Sequence, residues 1–425
     1  TMNSKLQDSP SPTMKQPANT AEKTAIVIGA GPAGLSLGLG LSRRGWKVIL
    51  IEKRESFEVR GASFGIAPNG IKALTELHPG VVPRLQQDGI QLPSGGLLIP
   101  WWMMRDALLA QVNYDQDEEN APGSIEVRMG LSLVEIVDED GGEVVVAKFS
   151  NGTVIEGNIM IGADGVHSVV RNLLGLIPHE FTGGKVFRGT IDVFDAKCSK
   201  IDEELSSEIS TAPLQGLLSK GMVPISVTTP GMHFFVLSFH PTKKGRLCWV
   251  LGTNDPDYHP DNMSLLSFME EKLQQLKGET EDNKEKDIII KSILDASPEH
   301  SFTSFTETKV ADFSDEILMP FDGRWGGKGK VTIIGDAAHA MRPTNGQGGN
   351  MAFEDAIVLC RLLEIFGEHS ETKRVDQVLE EFEKERLPRV RKIHDDQRMR
   401  YDARMRGEDI PPWSSEFKEW VNNGI

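Results

Sequence analysis

Residues 24–52 read TAIVIGAGPAGLSLGLGLSRRGWKVILIE, and this stretch decides the fold. An apolar run from Thr24 to Ile28 ends in the glycine-rich turn GAGPAG, a helical segment follows, and a second apolar run covers residues 46–52. Both runs are apolar throughout rather than alternating, which is typical of parallel strands that are covered on both faces. The stretch therefore predicts a βαβ unit of a parallel α/β sheet.

The turn at residues 29–34 has the spacing G-x-G-x-x-G of a dinucleotide-binding loop. Gly29 permits a tight turn, Gly31 lets the backbone approach a pyrophosphate, and Gly34 lets the helix pack on the strand. The helix start then faces the phosphate charge, and Glu52 can accept hydrogen bonds from ribose hydroxyls. A dinucleotide with a free 2′-hydroxyl fits best, and this element alone does not distinguish NAD from FAD. Three glycines that merely shape a loop are the alternative.

The composition indicates a large globular protein. A length of 425 residues exceeds the usual single domain, so we expect two domains. The net charge of −16 disfavours nucleic acid as a partner, and no apolar run approaches the ~18 residues that span a bilayer. Cys198, Cys248 and Cys360 lie far apart, which predicts neither a disulfide framework nor a cysteine zinc site and fits a reducing compartment.

The rest of the chain predicts the domain organisation. Short strand-like segments from Ile125 to Ile161 predict a β-meander inside the first domain, and those between 183 and 252 predict a second sheet. The apolar strand VTIIG then returns the chain to the first domain, before a long helix at about 348–366. We expect a disordered leader at residues 1–22 and a Rossmann-like first domain formed by residues 23–180 and 321–400. An α+β substrate domain with a mainly antiparallel sheet would cover residues 181–320, and a C-terminal tail would cover residues 401–425.

Two further motifs each place an aspartate after a strand. The segment GADGVHS contains Asp164, and the segment GDAAHAMRPTNGQGGN contains Asp336. Open α/β sheets bind ligands at the carboxyl ends of their strands, so both aspartates are candidate ligand contacts. The alternative is that Asp164 caps a helix or turn and that Asp336 caps the segment after its strand.

With these three motifs in this order, the sequence resembles the class A flavoprotein monooxygenases, typified by para-hydroxybenzoate hydroxylase, salicylate hydroxylase and zeaxanthin epoxidase. The resemblance spans most of residues 24–395. It implies that the glycine-rich turn holds the ADP half of FAD, that GADGVHS serves both FAD and NADPH, and that the last motif holds the ribityl chain and pyrophosphate.

The resemblance also implies roles for single residues. Pro343 would lie beside the flavin ring, and the loop at 346–350 would direct backbone N–H groups toward the side of the flavin where negative charge forms on reduction. Arg105 would contact the pyrophosphate region, with a surface arginine as the alternative, and Arg188 would lie near the flavin face or serve only its strand. The expected catalytic residues are Arg188, Pro343, Gly349 and Asn350. The expected cofactor contacts are Gly29, Gly31, Ala33, Gly34, Glu52, Lys53, Arg54, Arg105, Asp164, Gly335, Asp336, Gly346, Gly348, Gly349 and Asn350.

The activity that the resemblance implies is monooxygenation. NADPH or NADH would reduce FAD, O₂ would add at flavin C4a, and the hydroperoxide would hydroxylate or epoxidise a small aromatic or isoprenoid-type substrate. No second G-x-G-x-x-G is present, so the nicotinamide nucleotide would bind transiently in a groove shared with FAD. An FAD-dependent oxidase or dehydrogenase and a non-catalytic flavin-binding regulator are the alternatives.

The remaining expectations concern metals, oligomeric state, cellular location and the basic C-terminal segment. We expect no metal, a monomer or dimer, and a cytoplasmic location, or an organellar one if a transit peptide has been removed. The basic segment RVRKIHDDQRMRYDARMR at 389–406 contains interspersed aspartates, so a solvated or docking helix is a better interpretation than a nucleic-acid or membrane patch.

Overall fold

The computed structural model describes most of the chain outside residues 193–324. The described residues are 23–57, 63–116, 122–139, 142–192, 225–229, 231–239, 246–254, 308–312, 325–342, 346–368, 374–410 and 412–424, with single positions between 267 and 293. The expected leader at residues 1–22 and the expected catalytic residue Pro343 lie outside them.

A five-stranded parallel sheet forms the centre of the fold. Its strands are β1 (Thr24–Ile28), β2 (Lys47–Ile51), β6 (Ser124–Arg128), β10 (Ile159–Gly162) and β16 (Val331–Ile333), in the order β16-β10-β1-β2-β6. All four pairings between neighbours are parallel. The strand order places the carboxyl ends of β1, β10 and β16 side by side, so the three sequence motifs that follow these strands meet at one edge.

Helix α1 (Pro32–Ser42) covers one face of this sheet. Proline at its first position fixes a helical φ where no N–H partner is needed, and every residue from Gly34 to Ser42 is buried. The helix is apolar on all sides because it also packs against α4 (Trp101–Gln116) and α7 (Gly348–Glu368). A Cβ atom at Gly40 would collide with the Leu77 and Cys360 side chains, so this glycine allows the helices to approach closely.

Two small antiparallel sheets accompany the parallel sheet. The first joins β3 (Ser63–Ile66), β4 (Ile90–Gln91) and β5 (Leu97–Pro100), and the second joins β7 (Leu133–Asp138), β8 (Val145–Phe149) and β9 (Val154–Gly157). The meander expected from Ile125 to Ile161 therefore consists only of its three middle strands. Its first and last segments are β6 and β10, which pair with β2 and β1 instead because their apolar residues complete the buried central sheet.

A five-stranded antiparallel sheet has the order β12-β13-β14-β11-β15. Its strands are β11 (Glu180–Asp192), β12 (Ile225–Thr229), β13 (Met232–Phe239), β14 (Arg246–Thr253) and β15 (Thr308–Asp312). Phe234 and Trp249 are fully buried in it, with ring centroids 6.2 Å apart. The expected α/β class, with a Rossmann-like sheet and a second, antiparallel sheet, is thereby confirmed.

The remaining helices flank the central sheet or close the chain. They are α2 (Pro68–Leu77), α3 (Val81–Asp88), α5 (Val169–Leu173), α6 (Asp336–His339), α8 (Val375–Met405) and α9 (Ser415–Asn422). Helix α8 runs through the expected boundary at residue 400, and the Met405 carbonyl oxygen accepts a hydrogen bond from the Gly231 amide beside β13. The basic segment is thus part of a docked helix, α8, which contacts both large sheets. No helix in the described ranges combines the length and apolar character that crossing a bilayer would require.

The burial of α1 generates a stability prediction. Leu39 is completely buried, whereas Leu173 on α5 is 41% exposed. Leu39→Ala should lower the free energy of unfolding by about 2–5 kcal/mol because it leaves a cavity in the packing around α1. The matched control Leu173→Ala should cost only about 0.5 kcal/mol. Urea unfolding curves measure both values, and equal losses would contradict the packing described for α1.

Candidate functional site

A cavity of about 570 Å³ lies at the carboxyl edge of the parallel sheet. Residues of all three sequence motifs line it, among them Gly31, Asp164, Asp336 and Gly349. Glu52, Lys53 and Arg54 line it from the end of β2. The volume is in the range of ligand and cofactor sites, and its position is the one at which open α/β sheets bind ligands.

The glycine-rich turn brings the start of α1 to the cavity. Gly29 has φ +107°, and a Cβ atom there would collide with the backbone of Ala163 and Asp164. A Cβ atom on Gly34 would collide with the Gly29 carbonyl oxygen, whereas one on Gly31 would meet no protein atom within 4 Å. Gly31 therefore borders open space, and the first N–H groups of α1 stand behind it. The positive end of the helix dipole can stabilise an anion there.

Glu52 is held at the end of β2 by backbone donors. Its Oε2 accepts a hydrogen bond from the Ala30 amide at 3.3 Å, and its Oε1 accepts one from the Arg54 amide at 3.1 Å. Each carboxylate oxygen has a second lone pair, so Glu52 can still accept a ligand hydroxyl. This arrangement is the one expected of a ribose-binding acid.

Arg105 is a buried side chain and not the surface arginine that the sequence left open. Its guanidinium carbon lies 4.8 Å from the Phe57 ring centroid and 5.6 Å from that of Trp101, and the group pairs with Asp106 at 2.8 Å. The two rings were not expected as site residues from the sequence. Trp101 and Arg105 are spaced i, i+4 on a helix, which is the signal that could have found this stacking.

Asp164 has the capping role that the sequence offered as an alternative, and it also lines the cavity. Its Oδ2 accepts hydrogen bonds from the amides of Val169 at 2.7 Å and Val170 at 3.2 Å, so the carboxylate caps α5. Its Oδ1 is buried and has no hydrogen-bond partner among the described residues. Burial raises the pKa of this carboxyl group. A buried oxygen without a partner on a cavity wall is suited to a ligand hydroxyl or amide.

Asp336 begins α6 directly after Gly335, whose φ of +58° turns the chain at the end of β16. Asp336 lines the cavity, so its side chain is exposed to the cavity space while protein atoms surround it on the other sides. Burial raises the pKa of this carboxyl group. From behind, Nε2 of His179 donates to the Asp336 carbonyl oxygen at 2.9 Å. Burial, with the Arg171 charge, lowers the pKa of His179 to about 4.

Arg171 connects the second motif to the third. Its side chain is buried, Nε donates to the Ile177 carbonyl oxygen at 2.7 Å, and Nη1 donates to the Ala337 carbonyl oxygen at 3.3 Å. The helix that follows Asp164 is thereby joined to the one that starts at Asp336. The pattern of the sequence gave no sign of this contact because the two segments lie far apart in the chain.

The last motif contributes the start of α7. Gly346 turns the chain with φ +69°, and Gly349 lines the cavity. The side-chain amide of Asn350 is bonded within the protein. Its Oδ1 accepts from the Ala67 amide at 2.9 Å, and its Nδ2 donates to the carbonyl oxygens of Gly65 at 3.0 Å and Gly346 at 2.7 Å. The side chain thus fixes the loop, and the helix start supplies backbone N–H groups.

Of the four expected catalytic residues, Gly349 lines the cavity and Asn350 is not among the described lining residues. Arg188 is placed only by its backbone, in β11 opposite Val250 of β14. Pro343 lies outside the described residues. Within the described parts of the chain, no cluster of three or more His, Cys, Asp or Glu side chains could hold a metal ion.

The family model described as FAD binding domain matches residues 22–99 and 108–397. The chain belongs to this FAD-binding family of FAD-dependent monooxygenases. FAD is accordingly the cofactor. The cavity fits it in three respects: the open space beside Gly31 admits a pyrophosphate at a helix start, Asp164 offers a buried oxygen that lacks a partner, and Asp336 offers an acceptor to hydroxyls.

Known proteins resemble this chain over most of its length. The dual trans-enoyl reductase/FAD-dependent monooxygenase tazHJ of Aspergillus terreus is 28% identical over 372 residues, which are 81% of this chain and 48% of tazHJ, so the chain spans about half the length of that relative. The 3-amino-4-hydroxybenzoate 2-monooxygenase PtnB3 of Streptomyces platensis is 28% identical over 397 residues, or 88% of this chain and 87% of PtnB3. The crystal structure of CtdE in complex with FAD and substrate 4 has the same fold, with a TM-score of 0.71, 18% identity and 95% of both chains covered.

The space beside Gly31 generates a binding prediction. Gly31→Val should abolish FAD retention because its side chain enters the approach of the pyrophosphate, yet the apoprotein should keep its stability since no protein atom is displaced. Gly34→Val should instead destabilise the apoprotein, because it collides with the Gly29 carbonyl oxygen. Flavin absorbance and apoprotein melting temperatures distinguish the two variants. Normal flavin occupancy in Gly31→Val would remove this turn from the cofactor site.

The lowered pKa of His179 generates a pH prediction. The unfolded chain binds a proton on this imidazole below about pH 6.5, whereas the folded protein does so only below about pH 4. The stability that the neutral group contributes is thus complete above pH 6.5 and is lost as the pH falls toward 4. The free energy of unfolding should decrease less between pH 6.5 and 4 in His179→Gln than in the unmodified protein, by up to about 3 kcal/mol.

Urea unfolding between pH 4 and 7 makes this measurement. Burial also lowers the pKa of His233, to about 3. This group is present in both proteins, so its contribution to the pH dependence of stability cancels in the comparison. A decline as steep in His179→Gln as in the unmodified protein would show that the folded protein protonates His179 freely.

Proposed function

We propose that this protein is an NAD(P)H-consuming monooxygenase that hydroxylates or epoxidises a small aromatic or isoprenoid-type substrate. The observation that carries the proposal is the convergence of three motifs from β1, β10 and β16 on one cavity. Its relative PtnB3 is named for an aromatic substrate, 3-amino-4-hydroxybenzoate, which supports the aromatic class. Bound FAD supplies the redox chemistry with which O₂ is activated.

The chain contributes binding and electrostatics. The start of α1 neutralises pyrophosphate charge, and Glu52 and Asp336 accept hydrogen bonds from the hydroxyls of the cofactor. The start of α7, held in place by the Asn350 amide, stabilises negative charge without a basic side chain. Each of these groups is fixed by the protein before any ligand binds, so no reorganisation is needed during the reaction.

The antiparallel sheet would form the substrate domain. We propose that residues 181–320 close the pocket against the first domain at 23–180 and 321–400, with Arg188 and Pro343 at the reacting face. Exclusion of water is the requirement that such a second domain meets, because a wet site lets activated oxygen escape as H₂O₂. Tyr401 of α8 supports this arrangement, since it packs against Val186 of β11 and Val250 of β14.

The nicotinamide nucleotide would bind transiently beside FAD. The chain has a single G-x-G-x-x-G loop, at residues 29–34, and FAD uses it. NADPH or NADH would therefore share the groove of the cofactor rather than occupy a separate dinucleotide fold. We propose a monomer or dimer in the cytoplasm, which the two buried free thiols of Cys248 and Cys360 support, because free thiols persist in reducing compartments.

The stoichiometry of the reaction tests the proposal. With a substrate found by screening phenolic acids, indoles and isoprenoids, one NADPH should be consumed for each product molecule, whose mass increases by one oxygen atom. Pro343→Gly should open the pocket, divert reducing equivalents to H₂O₂ and leave flavin binding largely intact.

Two outcomes would count against this account. If H₂O₂ matches NADPH with every substrate, the protein acts as an oxidase and the monooxygenase proposal is wrong. If product per NADPH is unchanged in Pro343→Gly, Pro343 is not part of the oxygenating pocket.

A further inference from the structure

Helix α8 carries a buried arginine that connects the C-terminal segment to the cofactor side of the fold. Arg389 is 8% exposed, and its guanidinium donates a bidentate pair to Glu354 of α7, from Nε to Oε2 at 2.5 Å and from Nη2 to Oε1 at 2.6 Å. Its Nη1 and Nη2 also donate to the carbonyl oxygens of Trp420 at 3.2 Å and Val421 at 2.7 Å. One side chain thus caps the end of α9 and fixes a buried carboxylate.

Glu354 is also linked to two further segments, one of which leads to Gly349 at the cavity. Its Oε1 accepts a hydrogen bond from Nδ2 of Asn69 at 2.7 Å, and the same Nδ2 donates to Oε1 of Gln347 at 3.0 Å. Asn69 lies in the first turn of α2, and Gln347 precedes the start of α7. All three side chains are at most 2% exposed. The orientation of Asn69 therefore depends on where Glu354 is held, by Arg389 and also by Arg386, whose Nη1 donates to Oε2 of Glu354 at 2.9 Å.

The carbonyl oxygen of Asn69 has no hydrogen-bond partner among the described residues. Both of the other polar contacts of this side chain are made by its nitrogen, so the oxygen is the group left to accept a donor. A completely buried acceptor is costly when it has no donor. The unpartnered oxygen therefore lies in the segment that Asn350 of α7 also holds, through the amide of Ala67 at 2.9 Å.

We propose that Arg389 is a positioning residue for the FAD site, acting through its bidentate pair with Glu354 on Asn69 and Gln347. The proposal rests on the FAD site and not on the proposed reaction. Lysine cannot replace this arginine, because a single ammonium group lacks the planar fork that engages both carboxylate oxygens. Trp413, which precedes α9, and Phe417 and Trp420 on α9 pack with Met341 and Met351. Met341 lies inside the last motif, and Met351 follows it directly.

The chain offers a matched control for this proposal. Lys392 lies one turn along α8 from Arg389, and its Nζ stands 3.9 Å from the Trp420 ring centroid. It therefore contacts the same docked segment, and it takes no part in the Glu354 contacts described above. Gly424 offers an independent perturbation, because a Cβ atom there would collide with the Arg389 guanidinium.

Titration of the apoprotein with FAD, followed by flavin fluorescence well below the melting temperature, tests the proposal. Arg389→Lys should raise the dissociation constant of FAD about tenfold and shift the visible absorption bands of the bound flavin. Gly424→Ala should change both readouts in the same direction. Lys392→Met should lower the melting temperature of the apoprotein by weakening the docking of α9, while FAD affinity and flavin spectrum stay unchanged.

The outcomes separate positioning from plain stability. If Arg389→Lys and Lys392→Met weaken FAD binding by the same factor, α9 acts only through stability and the proposal is overturned. If Arg389→Lys binds FAD with unchanged affinity and spectrum, the proposal is overturned as well. The titration contains no NADPH and no substrate, so failure of the monooxygenase proposal leaves this result standing.

Discussion

The cofactor site depends on how closely the turn after β1 approaches the end of β10. A Cβ atom at Gly29 would collide with the backbone of Ala163 and Asp164, so the two strands can lie side by side only with glycine at this position. This contact places the start of α1 next to the aspartate of the second motif. The neighbouring strand β16 then adds Asp336 to the same edge. Three segments distant in sequence become one binding site because their strands are neighbours.

The positive electrostatic potential at this edge comes from backbone N–H groups together with the basic side chains of Lys53, Arg54 and Arg105. The starts of α1 and α7 both lie at the cavity, and the glycines there leave the N–H groups accessible. The carboxyl groups of Asp164 and Asp336 have raised pKa values because burial disfavours their charge. A chain with a net charge of −16 can therefore hold an anionic dinucleotide, since the charges that repel it lie mostly elsewhere on the surface.

The sequence was sufficient to predict the βαβ unit, the antiparallel second sheet and the strand-end positions of Glu52, Asp164 and Asp336. These features depend on local spacing and on apolar runs, which a single sequence displays. The sequence did not reveal that the segments at 125 and 161 belong to the central sheet, because a short strand does not specify its partner. It also did not reveal the buried contacts of Arg171 and Arg389. Their partners are distant in sequence, and an arginine in a charged segment has no local signal of burial.

A crystal structure of the protein with bound FAD tests the central claim, that the turns after β1, β10 and β16 form one cofactor site. The account predicts the pyrophosphate within hydrogen-bond distance of the backbone N–H groups at the start of α1, and a cofactor hydroxyl within hydrogen-bond distance of the Asp336 carboxyl group. A pyrophosphate bound away from the Gly29–Gly34 turn, or a cofactor that does not reach Asp336, would contradict it.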